Sequence, residues 1–292
     1  MINGKKAILF LGAISAMNEI VIDAKKMGYY VIVTDYLIDS PAKKYADECW
    51  MLSIDDVEGI VEKCKQSGVD GVMNYCIDPG QKPYQQICER LGLPCVAGFE
   101  QFDIMTNKDK FATCCIQHGV DVIPKYYMGG GATEEQCQMF EYPLMIKPVD
   151  GRASKGIVVV NEPSEMNDAM AYALSFSKRK EVVIEKYMNC PELCVKYVAC
   201  DGNFYLSTMS DVWDSVLPDG TRVYMGTSSY PSRYYNEYNA TANDRVIAML
   251  RDIGIKNGAM SLTGFYDEGK FRFFDPSLRM GGAQDWRVVE AA

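Results

Sequence analysis

The sequence lacks an uninterrupted apolar run of the ~18 to 20 residues that a membrane-spanning helix requires. It also lacks an excess of positive charge, because 30 Lys and Arg stand against 39 Asp and Glu, for a net charge of −9. A chain with this balance is a poor candidate for coating nucleic acid or an anionic membrane. A few local cations would still suffice to bind one polyanionic small molecule. We therefore expect small-molecule partners, with no nucleic acid and no membrane.

Metal-binding and dinucleotide-binding motifs are missing as well. The 11 cysteines have no CxxC spacing and His118 is the only histidine, which argues against a zinc site. Reduced thiols in a cytoplasmic protein are the simplest interpretation. The turn Gly12–Met17 lacks the GxGxxG spacing of dinucleotide sites, so the sequence disfavours the alternative of a nicotinamide-dependent oxidoreductase.

The first hundred residues alternate short apolar runs with stretches of helical spacing. The predicted strands and helices are, in order, Ala7–Leu11, 16–27, Tyr30–Thr34, 55–66, Gly71–Tyr75, 80–91 and Pro94–Val96. This β-α-β alternation predicts a doubly wound parallel sheet. The pattern changes at 98–107, so we predict a domain boundary there, with an α/β Rossmann-like domain before it.

A lysine stands at the end of an apolar strand in the segment Tyr142–Pro148. After this residue, Lys147, comes the turn-rich loop Asp150–Gly156, and then a second strand, Ile157–Val160. Backbone N–H groups and cations at such a bend could fold over phosphates. An ordinary surface hairpin would have the same residues, so this segment leaves both readings open.

Another apolar strand, Val182–Met188, ends in polar residues, and Glu192 follows it beyond a turn at Pro191. The end of such a strand can offer backbone donors and acceptors to a purine. A carboxylate downstream can accept hydrogen bonds from both ribose hydroxyls.

The last informative segment is a predicted hairpin with Glu268-Gly269 at its tip. Its second strand carries Asp275, Ser277 and Arg279 at two-residue spacing, which places all three on one face. A carboxylate, a hydroxyl and a guanidinium suit Mg²⁺ together with phosphate. The alternative is a solvated strand face.

Taken in this order, the segments resemble the ATP-grasp superfamily, in particular its carbamoyl-phosphate-synthase-like and biotin-carboxylase-like branch. The resemblance covers nearly the whole chain. It implies a pre-ATP-grasp domain over 1–100 and an ATP-grasp domain of two α+β lobes over 101–292. Because few residues follow the metal strand before Ala292, it also suggests a grasp domain that is shortened at its C-terminus.

The resemblance implies a role for each motif. The residues that would bind ATP are Lys108, Lys147, Ser154, Lys155, Gly156, Glu185, Lys186, Tyr187, Met188 and Glu192. Asp275 and Ser277 would bind Mg²⁺ or Mn²⁺, and Arg279 and Lys155 would act in catalysis. The sequence departs from the family pattern near Thr263, where a second metal carboxylate is usual and none stands at 258–266.

The implied activity is that of an ATP-dependent ligase-type enzyme, which activates a carboxylate as an acyl phosphate for attack by an amine or another nucleophile. The alternative is a non-catalytic ATP-binding regulatory module with a degenerate metal site. Both would be cytoplasmic, and the resemblance allows a homodimer. The segment Trp213–Tyr235 is expected to line the substrate site.

Overall fold

The structure is a computed structural model, and it describes residues 1–150, 155–216 and 222–282. The chain forms two compact units. Unit 1 consists of Met1–Val120, Glu192–Gly264 and the described residues 273–282, and unit 2 consists of Asp121–Pro191 and Phe265–Arg272. The predicted domain boundary near residue 100 stays a prediction, because units that are defined by compactness need not coincide with domains along the sequence.

Unit 1 begins with a parallel sheet in the order β3-β2-β1-β4. Its strands are β1 (Ala7–Leu11), β2 (Tyr30–Thr34), β3 (Glu48–Trp50) and β4 (Gly71–Met73). The apolar runs form strands because they are buried, as in β1, where Leu9, Phe10 and Leu11 are at most 1% exposed. The predicted parallel sheet is confirmed.

The helices of this α/β region are α1 (Asn18–Lys26), α2 (Val57–Ser67) and α3 (Gln81–Leu91). Asp56 begins α2 by accepting a hydrogen bond from Gly59 N at 3.0 Å, and Gly68 ends it with a φ of 68°. The predicted strand Pro94–Val96 is wrong, because this segment pairs with no strand in the described chain and leads instead into α4 (Phe99–Met105).

A five-stranded sheet in the order β11-β10-β9-β12-β13 lies mostly in unit 1, whereas its hairpin end, Phe265–Arg272, belongs to unit 2. The strands are β9 (Glu192–Cys200), β10 (Asn203–Val216), β11 (Arg222–Ser229), β12 (Gly258–Asp267) and β13 (Lys270–Ser277), and the helices are α5 (Lys108–Gln117), α8 (Tyr235–Thr241) and α9 (Asn243–Asp252). Tyr238 of α8 is fully buried, with its hydroxyl 2.5 Å from that of Tyr197 and its ring against Phe273. The helix therefore covers one face of this sheet.

The hairpin formed by β12 and β13 is confirmed with the predicted tip. Glu268 and Gly269 connect the strands with φ values of 51° and 79°, the left-handed values that a two-residue hairpin turn requires. Ser277 is the last residue of β13, so Arg279 lies just beyond the strand.

Unit 2 contains a four-stranded sheet in the order β5-β8-β6-β7. The strands are β5 (Lys125–Gly129), β6 (Leu144–Pro148), β7 (Val158–Val160) and β8 (Val182–Lys186), and the helices are α6 (Glu134–Gln138) and α7 (Met166–Phe176). Met166, Met170 and Ala173 of α7 pack on Leu144, Ile146, Val160, Val182 and Ile184. This core fixes the strands that carry Lys147 and Glu185. Across the described residues of both units, the helices are too short or too polar to cross a membrane.

Candidate active site

In unit 2 the structure brings together Lys147 and Glu185, which are 38 positions apart in the sequence. Their strands are antiparallel neighbours, and Met145 is the direct partner of Glu185. Lys147 lies two residues further along β6 on the same face, and its Nζ is 2.5 Å from Glu185 Oε1. The Glu185 side chain is only 9% exposed, so its charge needs this partner. The ion pair holds the lysine ammonium at the end of β6.

The loop after β6 is anchored at both ends. Asp150 accepts hydrogen bonds from Ser177 Oγ at 2.7 Å and from the N–H groups of Lys178 and Arg179 at 3.0 and 3.2 Å. The Ser177 bond is the main cause of the lowered pKa of Asp150. Gly156 has a φ of 78°, and a Cβ there would lie 2.9 Å from Phe176 Cβ. Only glycine fits that position without rearrangement.

Of the predicted phosphate-loop residues, Gly156 is buried and Lys155 is exposed. Ser154 lies outside the described residues. The structure therefore gives the two ends of the loop a fixed position in unit 2, and the predicted contacts of Ser154 and Lys155 with phosphate stay predictions.

In the segment Glu185–Met188, two backbone N–H groups are already used in hydrogen bonds to neighbouring segments of unit 2. Lys186 N donates to Pro124 O at 2.9 Å and Tyr187 N donates to Pro143 O at 3.0 Å. The Lys186 ammonium donates to Asp267 Oδ2 at 2.8 Å, and this bond raises the pKa of Lys186. The side chain of Lys186 is therefore engaged within unit 2, and any contact of this residue with a purine would use its backbone.

Met188 is buried and follows the end of β8 by two residues. Within the described parts of the chain, its backbone N–H makes no hydrogen bond to another backbone group. An amide at the end of a strand with no backbone partner is a donor that a ring nitrogen could use. This geometry agrees with the predicted contact of Met188 with adenine, which the structure by itself does not test.

In unit 1, Lys108 and Asp275 form an ion pair. Asn107 caps α5 by accepting from Asp109 N and Lys110 N, so Lys108 is the first residue of the helix. Its Nζ is 2.8 Å from Asp275 Oδ1 and 5.6 Å from the centre of the Phe274 ring. Both side chains of the pair are more than half exposed, so a ligand can displace either partner.

Asp78 connects the other two residues of the predicted metal strand. It accepts from Arg279 Nε at 2.6 Å, from Arg279 Nη2 at 2.5 Å and from Ser277 Oγ at 2.9 Å. Burial raises the pKa of Asp78, but the bonds from Arg279 and Ser277 outweigh it and the net pKa is lowered. Ser277 and Arg279 thus reach one carboxylate, although Arg279 lies beyond the end of β13 and Asp275 pairs with Lys108 instead.

Asp78 and the nearby Gln81 are residues that the sequence motifs do not reveal. Gln81 is 3% exposed, and its Oε1 accepts from Leu278 N at 2.8 Å. The one available signal was position, because Asp78-Pro79-Gly80 follows β4 at the carboxyl edge of a parallel sheet, where ligands of such sheets bind.

Glu192, the predicted ribose carboxylate, is the first residue of β9 and is half-buried. Burial raises its pKa to about 7, and the negative charges of Asp214 and Asp275 add to the increase. Both acids are therefore close enough to Glu192 to repel its charge. Even so, no cluster of three or more acidic, histidine or cysteine side chains in the described residues is arranged to hold a metal ion.

The exposure and the hydrogen bonds of Asp275 and Ser277 determine how well these predicted metal ligands suit Mg²⁺. Asp275 offers a hard carboxylate oxygen and is 51% exposed, whereas the Ser277 hydroxyl is occupied by Asp78. Mg²⁺ commonly uses one or two carboxylates and takes its other ligands from phosphates and water. The residues therefore fit a Mg²⁺ ion that arrives with a nucleotide, and they do not form a protein cage for a free ion.

The predicted substrate segment is divided between two faces of the sheet. Glu192 is paired with Val212 and Leu193 with Asp211, so Asp211 and Trp213 lie on the face opposite to Glu192. Buried Asp211 accepts from Ser232 Oγ at 2.5 Å and from Arg233 Nε at 2.7 Å, and the guanidinium lies 4.9 Å from the Trp213 ring centre. This cluster fixes the start of α8, and its role in substrate binding stays a prediction.

Comparisons with known proteins agree with this architecture. Residues 127–256 match the family model described as D-ala D-ala ligase C-terminus. The chain is 27% identical over 188 residues to a formate-dependent phosphoribosylglycinamide formyltransferase of Prochlorococcus marinus, a match that covers 63% of this chain and 48% of the relative. The chain thus spans about half the length of this curated relative.

Two solved structures resemble the whole chain. The biotin carboxylase–βγ-ATP complex of Campylobacter jejuni has a TM-score of 0.78 at 19% identity, and covers 98% of this chain and 67% of its own. The biotin carboxylase domain dimer of Hydrogenobacter thermophilus 2-oxoglutarate carboxylase, bound to MgADP and bicarbonate, has a TM-score of 0.75 at 19% identity, with coverages of 97% and 66%.

The fold is that of ATP-grasp proteins, with a parallel sheet followed by two antiparallel α+β regions. The matched family model and the biotin carboxylases among the similar solved structures agree with the predicted resemblance to the ATP-grasp superfamily.

Proposed function

We propose that this chain is an ATP-dependent ligase-type enzyme that converts a carboxylate into an acyl phosphate for attack by an amine or another nucleophile. The observation that carries the proposal is that three predicted phosphate-binding cations are each held by a carboxylate. Lys147 pairs with Glu185, Lys108 with Asp275 and Arg279 with Asp78. Lys147 and Arg279, which are at most a third exposed, need little reorganisation when they neutralise phosphate charge, and the exposed Lys108 can exchange Asp275 for a phosphate.

In unit 2, Lys147, Ser154, Lys155 and the Gly156 backbone would contact phosphates, and the end of β8 from Glu185 to Met188 would contact adenine. In unit 1, Glu192 would accept the ribose hydroxyls, and Lys108 would neutralise phosphate charge. Asp275, with Ser277 nearby, would hold Mg²⁺ or Mn²⁺, which would supply positive charge to offset that of the phosphates.

The proposed chemistry needs mainly positioning and charge stabilisation. An oxygen of the substrate carboxylate forms a bond to the γ-phosphorus of ATP while the bond to the β-phosphate oxygen breaks, so ADP leaves. The nucleophile then attacks the acyl carbon and expels phosphate. Arg279 and Lys155 would stabilise the phosphoryl oxygens during transfer. The related proteins fit this scheme, because one is named as formate-dependent and another was solved with bicarbonate.

Nucleotide binding tests the proposal directly. Calorimetry with Mg²⁺ and a non-hydrolysable ATP analogue should detect binding, and Lys147→Ala should weaken it about 10- to 100-fold through loss of a charged hydrogen bond. Lys147→Gln should lose a similar amount while still donating to Glu185, which separates lost binding from damage to unit 2.

Arg179→Ala is the matched control, because Arg179 also pairs with a glutamate of unit 2, Glu181, at 2.7 Å, but outside the candidate site. It should bind the analogue as the unmodified chain does. Absence of binding by the unmodified chain at millimolar nucleotide would refute the proposal.

A non-catalytic ATP-binding regulatory module is the second candidate. The observation that favours it is the thin metal site, with Thr263 at the position of a second carboxylate and no three-ligand cluster in the described residues. ADP release, measured across pools of carboxylates and amines, distinguishes the two. A positive response identifies the enzyme, whereas intact analogue binding with no ADP release in any pool identifies the module. We also propose that the protein is cytoplasmic and forms a homodimer. Sedimentation-velocity ultracentrifugation tests the homodimer, since a monomer would sediment more slowly.

A further inference from the structure

We propose that Asp78 is a positioning residue for Arg279, which it orients so that the free end of the guanidinium binds the oxygens of the phosphoryl group in transfer. The inference rests on the proposed function, and it adds a residue from the loop after β4 that the ATP-grasp motifs do not include. It starts from three hydrogen bonds to one carboxylate, two from Arg279 and one from Ser277.

The way in which Arg279 is bound leaves one edge of its guanidinium available. Nε and Nη2 donate to the two oxygens of Asp78, and Nη1 donates to Met280 O at 2.7 Å. A guanidinium has five N–H groups, so Nη1 and Nη2 each keep one that no partner in the described residues uses. Both unused N–H groups are on the two terminal nitrogens, Nη1 and Nη2, which can donate to oxygens of a carboxylate or a phosphoryl group.

Neighbouring contacts make this orientation rigid. Leu278 N donates to Gln81 Oε1 at 2.8 Å and Met280 N donates to Tyr75 O at 3.0 Å, so the backbone on both sides of Arg279 is fixed to the region after β4. The Arg279 side chain is only 15% exposed. An isolated surface ion pair would leave the guanidinium free to move, but here both its backbone and its plane are held.

The experiment measures how much more tightly MgADP binds when aluminium fluoride, a mimic of a phosphoryl group in transfer, is present. The unmodified chain should gain at least about tenfold in MgADP affinity, because Arg279 contacts the mimic. Asp78→Asn should reduce this gain to less than about threefold, while the affinity for MgADP alone stays within about twofold. Asp78→Glu should restore part of the gain, since it keeps two acceptors. Asp23→Asn, which removes the acid of another exposed ion pair, should change nothing.

A double substitution tests whether Asp78 acts through Arg279. Arg279→Lys should lose the gain, and Asp78→Asn combined with Arg279→Lys should lose no more than Arg279→Lys alone. The positioning role would be overturned if Asp78→Asn kept the full gain in MgADP affinity, or if the losses of the two single variants added in the double variant. It would also be overturned if Asp78→Asn lost as much affinity for MgADP alone as it lost in the presence of aluminium fluoride. So would a lack of gain in the unmodified chain that binds MgADP. An unmodified chain that does not bind MgADP at all would instead refute the proposed function.

Discussion

At the scale of single residues, the carboxylates near the candidate site differ in what surrounds them. Asp78 receives three hydrogen bonds and its pKa is lowered, whereas Glu192 is half-buried near two other acids and its pKa is raised to about 7. A carboxyl group with a raised pKa favours its neutral form in the folded protein. Glu192 therefore lowers stability when it is ionised, and a ligand hydroxyl that donates to it would relieve part of this cost.

The pH dependence of stability tests the environment of Glu192. In the unfolded chain, the Glu192 carboxyl loses its proton near its ordinary pKa of 4.5. In the folded protein, it loses the proton near a pKa of about 7. Between these values the folded state holds more protons, so its stability falls as pH rises, and the full cost is present above pH 7. Glu192→Gln removes this cost. The variant should gain about 3 kcal/mol relative to the unmodified chain between pH 4.5 and 7.5.

Urea unfolding of both proteins across this pH range measures the difference. Glu181→Gln serves as the control, because Glu181 pairs with Arg179 and should give no comparable trend. A difference between Glu192→Gln and the unmodified chain that is constant with pH would contradict the raised pKa.

At the scale of elements, the loop between β6 and β7 depends on Gly156 for two separate reasons. Its φ is 78°, and an added Cβ would lie 2.9 Å from Phe176 Cβ in α7. Gly202 shares the φ, at 79°, but an added Cβ there meets nothing within 4 Å. Gly202→Ala should therefore cost about 1 kcal/mol from backbone strain alone. Gly156→Ala should cost about 2 to 3 kcal/mol, because the clash adds to the strain.

Chemical denaturation of the two alanine variants provides the comparison. Equal losses of stability would mean that contact with Phe176 is unimportant for the loop. A larger loss in Gly156→Ala, together with weaker nucleotide binding, would tie the end of the loop to its predicted role.

Individual strands and residues also show how much of the structure could be predicted from the sequence alone. Lys147 and Glu185 could be predicted because each ends an apolar run, and strand ends are where polar side chains collect. The three residues of β3, with their alternating polarity, do not form such an apolar run. Pro94–Val96 has the composition of a strand but pairs with no strand among the residues that the structure describes. The contact of Asp78 with Arg279 joins positions 201 residues apart, and in the sequence Asp78 resembles an ordinary turn residue.

At the scale of the whole molecule, one buried carboxylate joins distant segments of unit 2. Asp267 accepts from Lys186 Nζ and from Arg272 Nε, both at 2.8 Å, and Arg272 Nη1 donates to Val122 O at 3.2 Å. Asp267→Asn should cost about 2 to 3 kcal/mol, because it leaves two mostly buried cations with a neutral partner. Asp23→Asn, which breaks a surface pair, should cost less than about 0.5 kcal/mol.

Amide hydrogen exchange can locate the effect of Asp267→Asn. Faster exchange should be concentrated in 121–191, with little change in the parallel sheet of unit 1. Uniform acceleration over both units would mean that they unfold together and that Asp267 stabilises more than unit 2.

The link between the loop after β4 and the end of β13 also has a consequence for synthesis on the ribosome. Asp78 and Gln81 are made early, but Ser277, Leu278 and Arg279 are added roughly two hundred residues later. The parallel sheet can form on the nascent chain well before that, with the Asp78 carboxylate still lacking its guanidinium. The proposed anion-binding edge of Arg279 forms only after β13 and the residues that follow it have been translated, so an incomplete chain would lack the proposed phosphoryl-transfer centre.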